Sequence, residues 1–158
     1  MTTTTTLRPK VLGPDEGTRL PSTPGRDLVF KVTGDDTGGA FDYAVVELAP
    51  VNGPPLHVHH TRDEVIHVLS GRFKVRIGDD ESVLETGGFA FMPKGIPHAF
   101  LNLTEEPAEV VLVYTPGGAD PFFAELGPLS RSGASREELA ACFERHDLTL
   151  LGPPLSRD

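Results

Sequence analysis

Apolar residues along this chain fall into short runs separated by turn signals, and long helical stripes are absent from most of it. Asp27 to Thr33 forms the first strong strand, and Gly34-Asp35-Asp36-Thr37-Gly38-Gly39 closes it with a turn-rich segment. Phe41 to Ala49 is apolar at most positions, which predicts a strand buried on both faces and paired with the first as a hairpin. Further runs follow at His57 to His60, Glu64 to Leu69, Arg72 to Ile77, Ser82 to Glu85, Phe89 to Met92, His98 to Leu103 and Glu109 to Tyr114. Between them stand Ser70-Gly71, Gly78-Asp79-Asp80, Gly87-Gly88, Pro93-Lys94-Gly95 and Glu105-Glu106-Pro107. About eight or nine short strands at this spacing predict an all-β antiparallel barrel or double-sheet jelly roll.

Helical pattern enters only near the end. Asp120 to Leu126 predicts a short helix, and Ser135 with Glu138 forms a capping box that opens a helix over residues 136 to 146. Leu139, Cys142 and Phe143 make one apolar stripe on it, a packing face without a chemical role. Ahead of the strands, residues 1 to 7 are polar and low in complexity and should fray, while Arg8 to Arg26 reads as an extended arm with at most one short strand. The expected organisation is a flexible arm over 1–26, the barrel over 27–116 and a helical extension over 117–158. The tail around Leu151 to Leu155 is expected to be a loose strap.

The length of 158 residues suits one domain. Fourteen Lys plus Arg against twenty-three Asp plus Glu give a net charge of −9, which repels polyanions and argues against nucleic acid as a partner. One cysteine, Cys142, allows neither an internal disulfide nor a zinc site built on cysteine pairs, so a cytoplasmic location is expected. No run approaches the length of a membrane span, and Met1 to Thr6 lacks the features of a secretory leader.

Candidate chemistry concentrates in the histidines, five of the six of which lie between positions 57 and 98. In an extended strand His57 and His59 share a face, while Val58 and His60 point the other way. Two imidazoles on one face can chelate an ion, although His-x-His alone is more often a pair of surface or hydrogen-bonded histidines. A hairpin return would bring the Glu64 carboxylate beside them, and barrel closure could add His98 from a later strand. By alternation His67 faces away from this set with Val65 and Leu69, and His146 sits on the terminal helix in solvent. Ile66, Val68, Phe100 and Asn102 face inward and would make the cavity largely apolar, and Phe89, Phe91 and Phe100 are expected as plain barrel core.

Residues 57 to 71 read His-x-His-x4-Glu-x6-Gly and residues 87 to 102 read Gly-x5-Pro-x-Gly-x2-His-x3-Asn. Together they resemble the paired signature motifs of the cupin superfamily, whose fold is a small antiparallel jelly-roll barrel. The resemblance implies that His57, His59, Glu64 and His98 bind one divalent transition metal ion, with iron, nickel, cobalt, manganese, copper and zinc all compatible with such ligands. Leu28 to Gly34, Asp36 to Phe41, Gly53 to His60, Thr115 to Gly118 and Phe122-Phe123 extend the likeness to small bacterial cupins related to quercetin 2,3-dioxygenase. Two departures stand out: the first motif of the superfamily usually begins with a glycine six residues before the first histidine, where this chain has Val51 and its nearest glycine is Gly53, and His67 stands where these relatives often have an aromatic residue.

What the resemblance implies for function is a dioxygenase acting on a flavonol-like or other enolic aromatic substrate. Glu64 would take the proton of an enolic hydroxyl, dioxygen would attack the ring, and ring opening would release carbon monoxide. Because one fold hosts many chemistries, a metal-dependent isomerase, decarboxylase or cyclase is the alternative, as is a non-catalytic metabolite binder. Single-barrel relatives are commonly homodimers, and the terminal apolar stripe offers an interface.

Overall fold

The computed structural model describes residues 6–158, so Met1 to Thr5 of the expected arm lie outside the described residues. Among the described residues eleven strands and three helices follow one another as β1 (Thr18–Pro21), β2 (Arg26–Val32), α1 (Gly34–Thr37), β3 (Asp42–Leu48), β4 (Pro55–His59), β5 (Asp63–Val68), β6 (Phe73–Ile77), β7 (Asp80–Leu84), β8 (Phe89–Met92), β9 (His98–Asn102), β10 (Ala108–Thr115), α2 (Asp120–Arg131), α3 (Arg136–Arg145) and β11 (Leu148–Pro154). Hydrogen bonding divides the strands into two antiparallel sheets, β1-β2-β3-β10-β5-β8 and β11-β4-β9-β6-β7. The core lies between them, built from Phe30, Val46, Leu48, Ile66, Phe73, Met92, Phe100 and Leu112.

β2 and β3 pair as the expected hairpin. The expectation that β3 is buried on both faces does not hold. Asp42, Ala44, Val46 and Leu48 are buried while Glu47 is exposed, because the outer face of the six-stranded sheet has no layer covering it there. Phe89 and Phe91 likewise are not core. They stand 59% and 51% exposed, since the inward positions of β8 belong to Ala90 and the fully buried Met92.

The C-terminal elements close one end of the sandwich. Ser135 and Glu138 form the capping box that starts α3, as expected. α2 runs on past Leu126 to Arg131, because tertiary contacts favour its last turn: Gly127 packs where a Cβ would stand 2.1 Å from the Pro21 carbonyl oxygen, and Arg131 donates to the Pro21 and Ser22 carbonyls. The segment from Leu148 onward is no loose strap. As β11 it pairs with β4, setting Leu148 opposite His59 and Leu150 opposite His57, so its backbone groups are satisfied in a ladder. No helix among the described residues is long and apolar enough to cross a membrane.

Candidate metal centre

Three strands deliver four side chains to one point between the sheets. β4 and β9 lie side by side with His57 opposite His98, and the alternation of β4 turns His59 to the same face as His57. Glu64 arrives differently from the expected hairpin return. The chain crosses from one sheet to the other between β4 and β5, so Glu64 reaches the imidazoles from the facing sheet. Gly53 permits the approach of β4 to β9: a Cβ there would lie 1.9 Å from the Phe100 carbonyl oxygen, and the neighbouring Asn52 carbonyl accepts from the Asn102 N–H at 3.0 Å. Val51, at the usual glycine position of the motif, adopts φ 51°, so the left-handed turn is kept by a β-branched residue at a conformational cost.

His57, His59, Glu64 and His98 are all buried, none more than 6% exposed. Their ligating atoms all lie within 4.8 Å of one another. Glu64 Oε2 stands 2.8 Å from His98 Nε2 and 3.2 Å from His59 Nε2. Two backbone carbonyls set the tautomers. His57 Nδ1 donates to the Pro55 carbonyl at 2.6 Å and His98 Nδ1 donates to the Ile96 carbonyl at 3.1 Å, each two residues upstream. That leaves the Nε2 atoms of both rings for the centre, the arrangement in which an outer hydrogen bond orients a metal-binding imidazole.

Electrostatics favour a cation at this point. Burial, reinforced by His98 and His59 nearby, holds His57 well below its ordinary pKa, so its ring is neutral and its lone pair available. Burial opposes the charge of Glu64, but hydrogen bonds from His59 and His98 outweigh it and keep the carboxyl ionised, well below the usual range. His98 is also penalised by burial, and its contact with Glu64 more than compensates, raising its pKa. Ligands at about 2.1 Å from a shared ion are at most about 4.2 Å apart, so the group needs only small side-chain shifts to close on one. Three nitrogens and one carboxylate oxygen suit a divalent transition metal and leave coordination positions for a ligand.

His60 and His67 are exposed and play no part, the former bonding Thr149 Oγ1 at 2.8 Å. His146 is half-buried instead of solvated, because α3 packs against α2 and brings its Nε2 to Glu125 Oε2. Glu125, Cys142 and His146 also lie close together, but the Arg145 guanidinium already neutralises the Glu125 carboxylate. Asn102 is fully buried yet does not line the cavity. Its amide donates to the Leu48, Ala49 and Glu106 carbonyls and its Oδ1 accepts from Thr104, so it ties the loops below the site.

Above the four ligating groups is a cavity of about 30 Å³, walled by Leu28, Val46, Phe100, Leu112, Phe123 and Phe143 among others. Its polar lining comes from His59, Glu64, Tyr114 and Arg26. Burial, together with the Glu64 charge beside it, pushes the Tyr114 phenol well above its ordinary pKa, so it remains a hydrogen-bond donor. Phe143, expected only as packing, is in fact a wall of this cavity, its ring centroid 6.1 Å from that of His57. Tyr114 and Arg26 were not expected at the site. Their inward placement follows from strand alternation with Leu112 and Leu28, a signal that a residue-by-residue search for metal ligands passes over. A second, apolar pocket of about 210 Å³ lies outside, between α2, α3 and β11, and shares Pro55, Leu126 and Phe143 with the first.

Residues 44–114 match the cupin domain family, a span that holds all four ligating groups. Quercetin 2,3-dioxygenase of Bacillus subtilis (strain 168) is 31% identical over 126 residues, covering 75% of this chain and 37% of the relative. The tetracenomycin polyketide synthase protein TcmJ of Streptomyces glaucescens is 32% identical over 82 residues, 52% of this chain and 53% of that one. This chain spans between 37% and 61% of the length of the curated relatives it matches. Among solved structures, an RmlC-like cupin from Shewanella frigidimarina superposes with a TM-score of 0.60 at 15% identity, over 69% of this chain and 92% of that one, a likeness of fold. With its paired motifs, its two facing sheets and this match, the chain carries a cupin domain over residues 44–114 and resembles quercetin 2,3-dioxygenase.

Proposed function

We propose that the chain is a metal-dependent dioxygenase that cleaves a flavonol-like or other enolic aromatic substrate, with His57, His59, Glu64 and His98 as the metal ligands. The observation that carries this reading is the convergence of four buried donors on a cavity whose walls are mostly apolar, joined by the likeness to a quercetin 2,3-dioxygenase. When bound, a divalent transition metal supplies Lewis acidity and a means of exchanging electrons with dioxygen.

The chain's own residues supply the rest. Glu64 Oε2, ionised and facing the cavity, is the base that accepts the enolic proton of the substrate. Tyr114, protonated and adjacent, donates toward that carboxylate and limits its basicity. Phe100, Phe123, Leu112 and Phe143 exclude water and present flat apolar surface to an aromatic ring. The cavity of about 30 Å³ holds only a few atoms, whereas sites for drug-sized ligands run to about 300 Å³ or more. A flavonol therefore enters only when Phe143 and Leu126, which separate inner cavity from outer pocket, move aside with the helical cap.

The same small volume favours a second reading, a metal-dependent isomerase, decarboxylase or cyclase that acts on a smaller metabolite. Dioxygen uptake separates the two. Metal-replete protein supplied with a flavonol or another enolic aromatic should consume oxygen, with carbon monoxide released from a flavonol; the absence of uptake over a panel of flavonols and single-ring enolic aromatics would exclude the first reading.

A further inference from the structure

One charged residue of the cavity is unused by the proposed chemistry. Arg26 opens β2, and the strand continues inward through Leu28 and Phe30, neither more than 1% exposed. Arg26 thus occupies a core-facing position and lines the cavity with His59, Glu64 and Tyr114. Its guanidinium donates to Thr23 Oγ1, with the Nε contact at 3.0 Å. Among the described residues it takes part in no ion pair. Thr23 in turn lines the outer pocket, so the Arg26–Thr23 contact lies at the junction of the two compartments.

Arg26 is half-buried, and a cation turned to the core side of a sheet is costly unless something of opposite charge answers it. Burial draws the Arg26 pKa down to about 10, and Tyr114 and Glu64 oppose that shift, so the group stays charged at neutral pH. Glu64 is a poor permanent partner, because its Oε2 is already engaged by His59 and His98. The guanidinium retains donors beyond those given to Thr23, in a planar fork matched to a carboxylate.

We infer that Arg26 is a specificity-determining residue that selects a hydroxy-substituted aromatic or enolic carboxylic acid, gripping its carboxylate at the cavity mouth while the hydroxyl faces Glu64. The inference rests on the interior cavity being the substrate site. It narrows the substrate from any enolic aromatic to one that carries an acid group, and the tight cavity favours a single ring over a flavonol.

The test uses the full chain loaded with zinc(II), which is redox-inert, and two probes of nearly the same shape, salicylate and salicylamide, titrated by calorimetry. Wild type should bind salicylate about tenfold or more tightly than salicylamide. A preference due to chelation by the ion alone would survive replacement of Arg26. In Arg26→Gln the preference should shrink to within about twofold with zinc content unchanged, and Arg26→Lys, which keeps the charge without the fork, should recover part of it. Equal affinities in wild type, failure of both probes to bind it, or an undiminished preference in Arg26→Gln would each overturn the assignment. Oxygen uptake is scored separately: its absence with a retained salicylate preference removes the dioxygenase reading and leaves Arg26 in place.

Discussion

The substitution Gly53→Ala puts the construction of the centre to a structural test. A Cβ at position 53 would meet the Phe100 carbonyl oxygen at 1.9 Å and its carbon at 2.9 Å, where real contacts essentially never fall under 3.0 Å. Both are backbone atoms, so relief requires β9 and the loop before β4 to separate by more than an ångström. Overpacking of this kind costs typically about 1–3 kcal/mol, and the upper half of that range applies because no side chain can rotate away. At about 2–4 °C per kcal/mol for a chain of this size, the midpoint of thermal unfolding should fall by about 4–12 °C. The same displacement alters His98 relative to His57, which are paired across β9 and β4, so metal content should fall as well. Gly152→Ala is the control, since a Cβ there makes only ordinary contacts at 3.7 and 3.8 Å. Thermal unfolding with chelator present, followed by elemental analysis after loading, gives both readouts. An unfolding midpoint and metal content in Gly53→Ala equal to wild type would show that β4 is not held to β9 by the bare backbone at this position.

Asp42 is fully buried and accepts from the backbone N–H groups of Gly34, Gly118 and Ala119 at 2.7, 2.9 and 2.8 Å, so Asp42→Ala should lose about 3–5 kcal/mol in denaturant unfolding. Val51 is held at φ 51°, and Val51→Asn, which tolerates that region, should stabilise the chain by about 1 kcal/mol in the same measurement; a loss would show the valine side chain matters more than its backbone strain. Glu125 has its carboxyl pKa lowered by hydrogen bonds from Arg145 and His146, linking α2 to α3. A lowered acid pKa means that its contribution is fully present above the unfolded value near 4.5 and is lost as pH falls through the folded one, so hydrogen exchange in α3 should accelerate there, and less so in Glu125→Gln.

The strands and the His57–His59 pair were legible in the chain because both depend on local spacing. Turn residues bounded the strands, the pleat put His57 and His59 on one face, and the resemblance of the two motifs implied Glu64 and His98 beside them. What spacing could not convey was how the strands distribute over two sheets. The chain switches sheets between β4 and β5, so Glu64 faces the histidines across the interior instead of beside them in a hairpin. Register against later elements was equally hidden: β11 looked like a strap because its ladder partner, β4, lies far back in the sequence. Phe143 looked like ordinary packing because its stripe on α3 is real, yet the surface it packs on includes the cavity above His57. Arg26 escaped notice for the reverse reason, a charged side chain at the start of a strand whose next two inward positions are core.

The central claim, that four side chains from two sheets hold a single cation, is tested most directly by elemental analysis of the purified chain beside its His57→Ala, His59→Ala and His98→Ala variants. A divalent transition metal near stoichiometric in the wild type and lost in each folded variant is the outcome expected from their shared geometry. Variants that keep the full metal content, or a wild type that takes up no divalent ion when one is supplied, would contradict it.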